Sequence, residues 1–207
     1  TLRIFLVLVL QFIWLLRDKW IYLSQDRVIS WFGDAAFYTM LSQWTSQYYL
    51  GGISTPEQVY TVSASLFEYG RGVHIWMMAA YNSIFGYGPI SMIFLNCIFS
   101  ALTGIVCYSI TKFIFGSSAG KIAAILVTFF PSLVAWSTAN SKDSLLILLT
   151  CLVLWSHLRF IEFNKKVYLF LTVFCALLQF LMRYWLLLPT ILAISISWLR
   201  IRKKIGI

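Results

Sequence analysis

The sequence predicts an all-α integral membrane protein of about six transmembrane helices, with a long extracytoplasmic first loop bearing two interfacial amphipathic helices. Three observations predict this. The chain of 207 residues is 60% hydrophobic and only 11% charged, with a mean hydropathy of +0.83. A water-soluble domain of that balance would expose apolar patches large enough to aggregate. The apolar residues fall in runs separated by short charged turns, and the length suits about six spans of roughly 20 residues each plus loops. The acids keep to loops and run ends, which argues against a transporter or channel, where ionisable groups stand in mid-span.

Residues 1–23 form the first span, with Arg17, Asp18 and Lys19 near the interface. Residues 24–88 form the single long polar loop. Within it, about Asp34 to Tyr49 reads as one amphipathic helix, with Gly33-Asp34 as its capping start and Phe37, Leu41, Trp44 and Tyr48 at helical spacing. About Arg71 to Phe85 reads as a second, with Val73, Met77, Ala80 and Ile84 on one face and Arg71, His74 and Met78 on another. Both are expected to lie in the interface plane. Gly51-Gly52 and Thr55-Pro56 mark the turn between them.

Residues 89–207 hold five further spans and a basic tail. The spans read as 89–111, 122–139, 144–158, 167–182 and 186–199. In the first of these, Ser100 and Gly104 suit close helix contact. In the second, Pro131 is expected inside the helix, its lost hydrogen bond absorbed by neighbours. Asn96 and Gln179 are expected to hydrogen-bond between helices. The chain opens on Thr1 and ends on Ile207 after a basic run, so a piece of a longer protein is expected. Cys97, Cys107, Cys151 and Cys175 lie in apolar runs without CxxC spacing, so neither a disulfide framework nor a zinc site is expected.

The net charge of +9 would suit nucleic acid, but its distribution does not. If the turns alternate across the bilayer, one side holds ten basic residues against Glu162 alone, and the other holds six basic residues against six acids. Basic residues favour the cytoplasm. The long loop, the Ser141-Lys142-Asp143 turn and Arg183 are therefore expected on the extracytoplasmic side, with the N-terminus cytoplasmic.

An early extracytoplasmic loop that opens with Asp34 and a helix resembles the membrane-embedded GT-C glycosyltransferases, in particular the branch of protein mannosyltransferases and aminoarabinose transferases. The resemblance continues through Arg71-Gly-Val-His74-Ile-Trp76, Ile84-Phe85-Gly86-Tyr-Gly-Pro89, Leu95-Asn96, Ala101-Leu-Thr-Gly104, Phe113-Ile-Phe115-Gly116, Phe130-Pro131-Ser132 and Ser141-Lys142-Asp143-Ser144-Leu145-Leu146. This order covers nearly the whole chain. Two departures stand out: Asp34 is followed by Ala35, where the family commonly has Asp-Glu, and family members are much longer.

The resemblance implies transfer of a sugar from a polyprenyl- or dolichyl-phosphate donor to an extracytoplasmic acceptor, which is a protein, lipid or glycan. On the residues alone, Asp34 is a helix cap. The resemblance makes it the base that takes a proton from the acceptor hydroxyl or orients it. Asp143 caps the helix that begins at Ser144, or is a second acid facing Asp34. Lys142 and Arg183 would hold the donor phosphate, and Arg71 and His74 would assist them or position the acceptor. A divalent cation is compatible with two aspartates but not required by them. The rival reading is a non-catalytic membrane subunit or shortened homologue that binds lipid or a partner protein, with both aspartates acting only as caps.

Overall fold

The computed structural model describes residues 34–52, 57, 70, 72–86, 89–137 and 141–205. The expected first span, residues 1–23, lies outside the described residues, as does Arg71. Helices account for nearly all of the described chain, and no strand occurs among the described residues.

The helices with described bounds are α1 (Asp34–Tyr49), α2 (Gly72–Phe85), α3 (Pro89–Phe115), α4 (Ser117–Phe129), α5 (Pro131–Ser137), α6 (Asp143–Phe163), α7 (Lys166–Met182) and α8 (Leu187–Ile205), with a 3-10 turn at Tyr184–Leu186 before α8. The first two fall almost where the sequence places them. Two of the helices are long and apolar enough to cross a membrane, at Ile93–Phe115 and Asp143–Phe163. Ser117–Phe129 and Lys166–Met182 are apolar but shorter.

The single crossing expected over 122–139 is instead two helices. Phe130 is extended, at φ −61 and ψ 121, and α5 starts at Pro131. The proline ring disfavours the helical conformation of the residue before it, and proline suits the first position of a helix, where its N–H would have no partner. Pro189 sits in the first turn of α8 and is tolerated for the same reason. The break after α3 is a single residue: Gly116, at φ +93, turns the chain directly into α4.

Cross-helix contacts fix the topology. Asn96–Ser141, Cys107–Cys151 and Ser109–Trp155 are separated by 45, 44 and 46 residues, so α3 and α6 run parallel. Ser156 meets Thr172, Thr150 meets Gln179 and Asp143 meets Arg183, so α6 and α7 form an antiparallel hairpin. In the α3–α4 hairpin, a Cβ on Gly104 would lie 2.7 Å from Thr128 Oγ1, and one on Gly120 would lie 3.1 Å from Tyr108. These small residues let the backbones approach closely. The two hairpins pack through α3 and α6, α8 packs on α6, and the α1–α2 pair reaches the bundle through α2.

The distribution of polarity runs inside out. Leu145, Leu146, Leu149, Val153, Cys175 and Met182 form a core cluster. Around it the buried interior also holds Asn96, Ser100, Thr103, Ser156, Thr172, Gln179 and Thr190, while Val167, Phe170, Phe174, Leu177, Ile122, Ile125 and Leu126 are exposed. Apolar surface of this extent suits lipid contact. The interior hydroxyls mostly bond to the carbonyl three or four residues back on their own helix, as Thr103 does to Phe99 and Thr172 to Tyr168. Gln179 Nε2 donates to both Thr150 and Thr190 at 3.1 Å, tying α6, α7 and α8 together. Gln179 is thus the interhelical hydrogen-bonding group that the sequence suggests, while Asn96 donates to the Ser141 carbonyl in the turn before α6.

Helices α1 and α2 each bury one face that mixes apolar and polar residues. Helix α1 buries Tyr38, Leu41, Ser42, Thr45 and Ser46 and exposes Tyr48; α2 buries His74, Ile75, Met78, Ala79 and Asn82 and exposes Trp76 and Ile84. Of the stripe Val73, Met77, Ala80 and Ile84, the first two are partly buried against the core cluster and the last two are exposed. The hydroxyls of Ser42, Thr45 and Ser46 bond to the backbone of their own helix, so burying them costs little.

Candidate functional site

The parallel course of α3 and α6, and the antiparallel course of α7, bring three helix ends to one end of the bundle. Four of the six candidate residues lie there with described side chains: His74, Lys142, Asp143 and Arg183.

The chain enters the cluster through Gly70. This residue has φ +84, in the left-handed region that favours glycine. Its N–H donates to the Leu181 carbonyl at 3.2 Å, and its own carbonyl accepts from Lys142 Nζ at 2.5 Å. A Cβ here would lie 3.2 Å from the Met182 carbonyl and 3.8 Å from Lys142 Nζ. Gly70 thus docks the end of the long loop onto the C-terminus of α7 and the start of α6.

Helix α2 starts two residues later and carries the buried His74. Its ring meets Tyr38 of α1 edge-on, with centroids 4.9 Å apart and an interplanar angle of 75°. Lys142 Nζ lies 6.0 Å from the centroid of the same Tyr38 ring, a cation–π distance. Lys142 thereby joins α1, α6 and the loop.

Helix α7 ends because Arg183 is extended, at φ −156 and ψ 96, while its N–H still closes on the Gln179 carbonyl. This turns the side chain across to α6, where Arg183 Nη2 lies 2.9 Å from Asp143 Oδ1. The guanidinium also lies 5.7 Å from the Trp185 ring centroid. The pair is partly exposed, so its contribution to stability is of the order of 1 kcal/mol or less. The expectation that Asp143 caps a helix starting at Ser144 is not met. Asp143 is itself the first residue of α6, Lys142 occupies the cap position without a side-chain cap bond, and the Asp143 carboxylate turns to Arg183.

On the α3 side, Asn96 Nδ2 donates to the Ser141 carbonyl at 3.3 Å, which holds the turn before Lys142 against the bundle. Ser100, Thr103, Leu133, Trp136, Ser144 and Ile147 line a shallow recess beside it, between α3, α5 and α6.

Asp34 heads α1, one turn before Tyr38, which is a rise of about 6 Å along the helix. Its side chain, like the whole of Arg71, lies outside the described residues. Tyr38 and Gly70 are the members of the cluster that sequence reasoning missed. Tyr38 stands beside the apolar spacing of Phe37, Leu41, Trp44 and Tyr48, and Gly70 carries no side chain to mark it. The spacing from Asp34 to Tyr38, one helical turn, was the available signal.

Chemically, the described side chains place two cations and one carboxylate at one end of the bundle, with Lys142 beside a buried Tyr–His pair, which leaves one positive charge in excess there. That balance favours an anionic ligand. No three His, Cys, Asp or Glu side chains come together as a metal-binding group among the described residues.

The fold and this cluster define an all-helical membrane protein with a charged site at one end of its bundle. Residues 73–205, more than half of the chain, match the dolichyl-phosphate-mannose-protein mannosyltransferase family, and the chain belongs to that family. His74, Lys142, Asp143 and Arg183 fall within the matched segment, whereas Asp34, Tyr38, Gly70 and Arg71 precede it. No curated protein and no solved structure matches the chain.

Proposed function

We propose that this protein transfers a sugar from a polyprenyl- or dolichyl-phosphate donor to an extracytoplasmic acceptor, with inversion at the anomeric carbon. Family membership supports glycosyl transfer of the GT-C type. The observation that carries the finer reading is the convergence of Lys142, Asp143 and Arg183, from two different helices, on one end of the bundle.

In this reading the acceptor oxygen attacks the anomeric carbon while the bond from that carbon to the phosphate oxygen breaks. Asp34 takes the acceptor proton. The lipid phosphate leaves with its negative charge, which Lys142 and Arg183 stabilise. Asp143 orients Arg183, and Arg71 and His74 position the reactants. The charge bias of the loops supports an extracytoplasmic site. Asp34→Asn is expected to abolish transfer, measured with a radiolabelled lipid-phosphate sugar, while membrane insertion stays intact. Unchanged turnover would refute the role of Asp34.

One observation favours a second reading, a non-catalytic homologue. Lys142 and Arg183 already bind partners within the chain, Gly70 and Asp143. Arg183→Gln separates the two readings. The enzyme reading expects transfer to fall by about 100-fold, the scale of losing one preorganised charge-stabilising group. The structural reading expects only a small loss of thermal stability.

A further inference from the structure

Four thiols occur in this chain, and the bundle treats them differently. Cys175 sits in the core cluster, and Cys97 lies 3.6 Å from the Ser137 carbonyl. Cys107 of α3 and Cys151 of α6 instead face each other, with their sulfurs 3.6 Å apart. All four are free thiols.

We infer that Cys107 and Cys151 form an oxidisable pair, which a lipid-soluble quinone converts to a disulfide linking α3 to α6. The geometry supports closure. A disulfide needs a sulfur separation of about 2.05 Å, so each sulfur moves by less than about 1 Å. The parallel packing of α3 and α6 supplies that approach, and the Trp155 Nε1 bond to Ser109 Oγ, 3.0 Å long and two residues beyond Cys107 and four beyond Cys151, holds the two helices in register.

The location selects the oxidant. Cys107 lies eight residues before the end of α3 and Cys151 eight residues after the start of α6. Each is therefore at least about 12 Å along its helix from either end. Both helices are long and apolar enough to cross a membrane. Water-soluble thiols and disulfides reach such a depth poorly, whereas a quinone dissolves in the hydrocarbon. Both cysteines are only partly buried, which leaves the pair approachable. In the reaction both S–H bonds break and one S–S bond forms. The two protons and two electrons pass to the quinone, which leaves as the quinol.

The bond would matter for the candidate site without being part of it. It would close a loop containing α4, α5 and the Ser141–Asp143 turn, and would clamp the α3–α6 contact that carries Asn96 and Ser141. The inference does not depend on glycosyl transfer.

The test uses the full chain in nanodiscs, treated with excess decylubiquinone, denatured without reductant, alkylated with N-ethylmaleimide and analysed by mass spectrometry. The expected product is monomeric, carries two alkylated thiols in place of four, and yields a cross-linked peptide joining Cys107 to Cys151. Without alkylation it is about 2 Da lighter than the reduced chain. Dithiothreitol restores all four thiols. Cys107→Ser and Cys151→Ala each abolish the cross-link, so the result stands if either variant folds. Four alkylated thiols after quinone treatment, or a disulfide that uses Cys97, Cys175 or a second chain, overturns the inference.

Discussion

Gly70 illustrates how much one residue contributes to the candidate site. Its positive φ and the Met182 carbonyl 3.2 Å from where a Cβ would stand both act against any side chain. Gly70→Ala is expected to cost about 1–2 kcal/mol, read as a lower unfolding temperature in detergent. In the enzyme reading it also weakens transfer, because Lys142 loses its carbonyl anchor. The adjacent charges were legible only in part. Lys142, Asp143 and Arg183 stood out in sequence as polar groups at span ends, but the 2.9 Å contact between Asp143 and Arg183 was not legible, since it joins the start of one helix to the end of the next. Local pattern suggested a cap for Asp143, and a tertiary partner took the carboxylate.

At the scale of elements, helix association here relies on close backbone approach and on hydrogen bonds, because lipid removes most of the hydrophobic drive between spans. The α3–α4 hairpin gives the sharpest test. Gly104→Ala places a methyl 2.7 Å from Thr128 Oγ1 and is expected to destabilise the protein by about 1–3 kcal/mol. Thr128→Ala removes the clashing oxygen, so the double variant is expected to recover a large part of that loss in thermal unfolding. The ends of α1, α2 and α7 were legible to within a residue or so, since Gly, charge and apolar length act locally. The spacing of apolar residues left the buried faces of α1 and α2 unassigned. Their apolar residues surround the helix broadly enough that hydrophobicity does not choose a face. On the face that is buried, Tyr38 meets His74 edge-on, and Ser42 and Thr45 satisfy their hydroxyls on their own backbone.

At the scale of the molecule, the proposed orientation follows from charge alone. In the proposed topology ten basic residues against one acid fall on the side opposite the cluster, the bias expected of a cytoplasmic face. A single cysteine introduced at Ser118, in a variant with the native cysteines replaced, is then expected to react with an impermeant maleimide only after the cells are opened. A cysteine placed at Gly51 is expected to react in intact cells. The opposite labelling pattern would invert the topology and remove the extracytoplasmic site. The same arrangement explains the mixture of helix lengths. Helix α4, with 13 residues, rises only about 20 Å, less than the roughly 30 Å hydrocarbon core, and the chain continues through the Pro131 break into α5.

Composition and the spacing of apolar runs determined by themselves that this chain is helical and suited to lipid, because those properties sum over local residues. The order of turns and motifs was likewise enough to point to the mannosyltransferase family. Only the tertiary structure decided which helices lie parallel, and hence which ends meet. That choice depends on contacts between residues about 45 apart along the chain, such as Asn96 with Ser141, which no local pattern encodes. It also brought Cys107 to Cys151 and Arg183 to Asp143. In each case the side chains were visible in the sequence, but the partner was set by the packing of α3, α6 and α7.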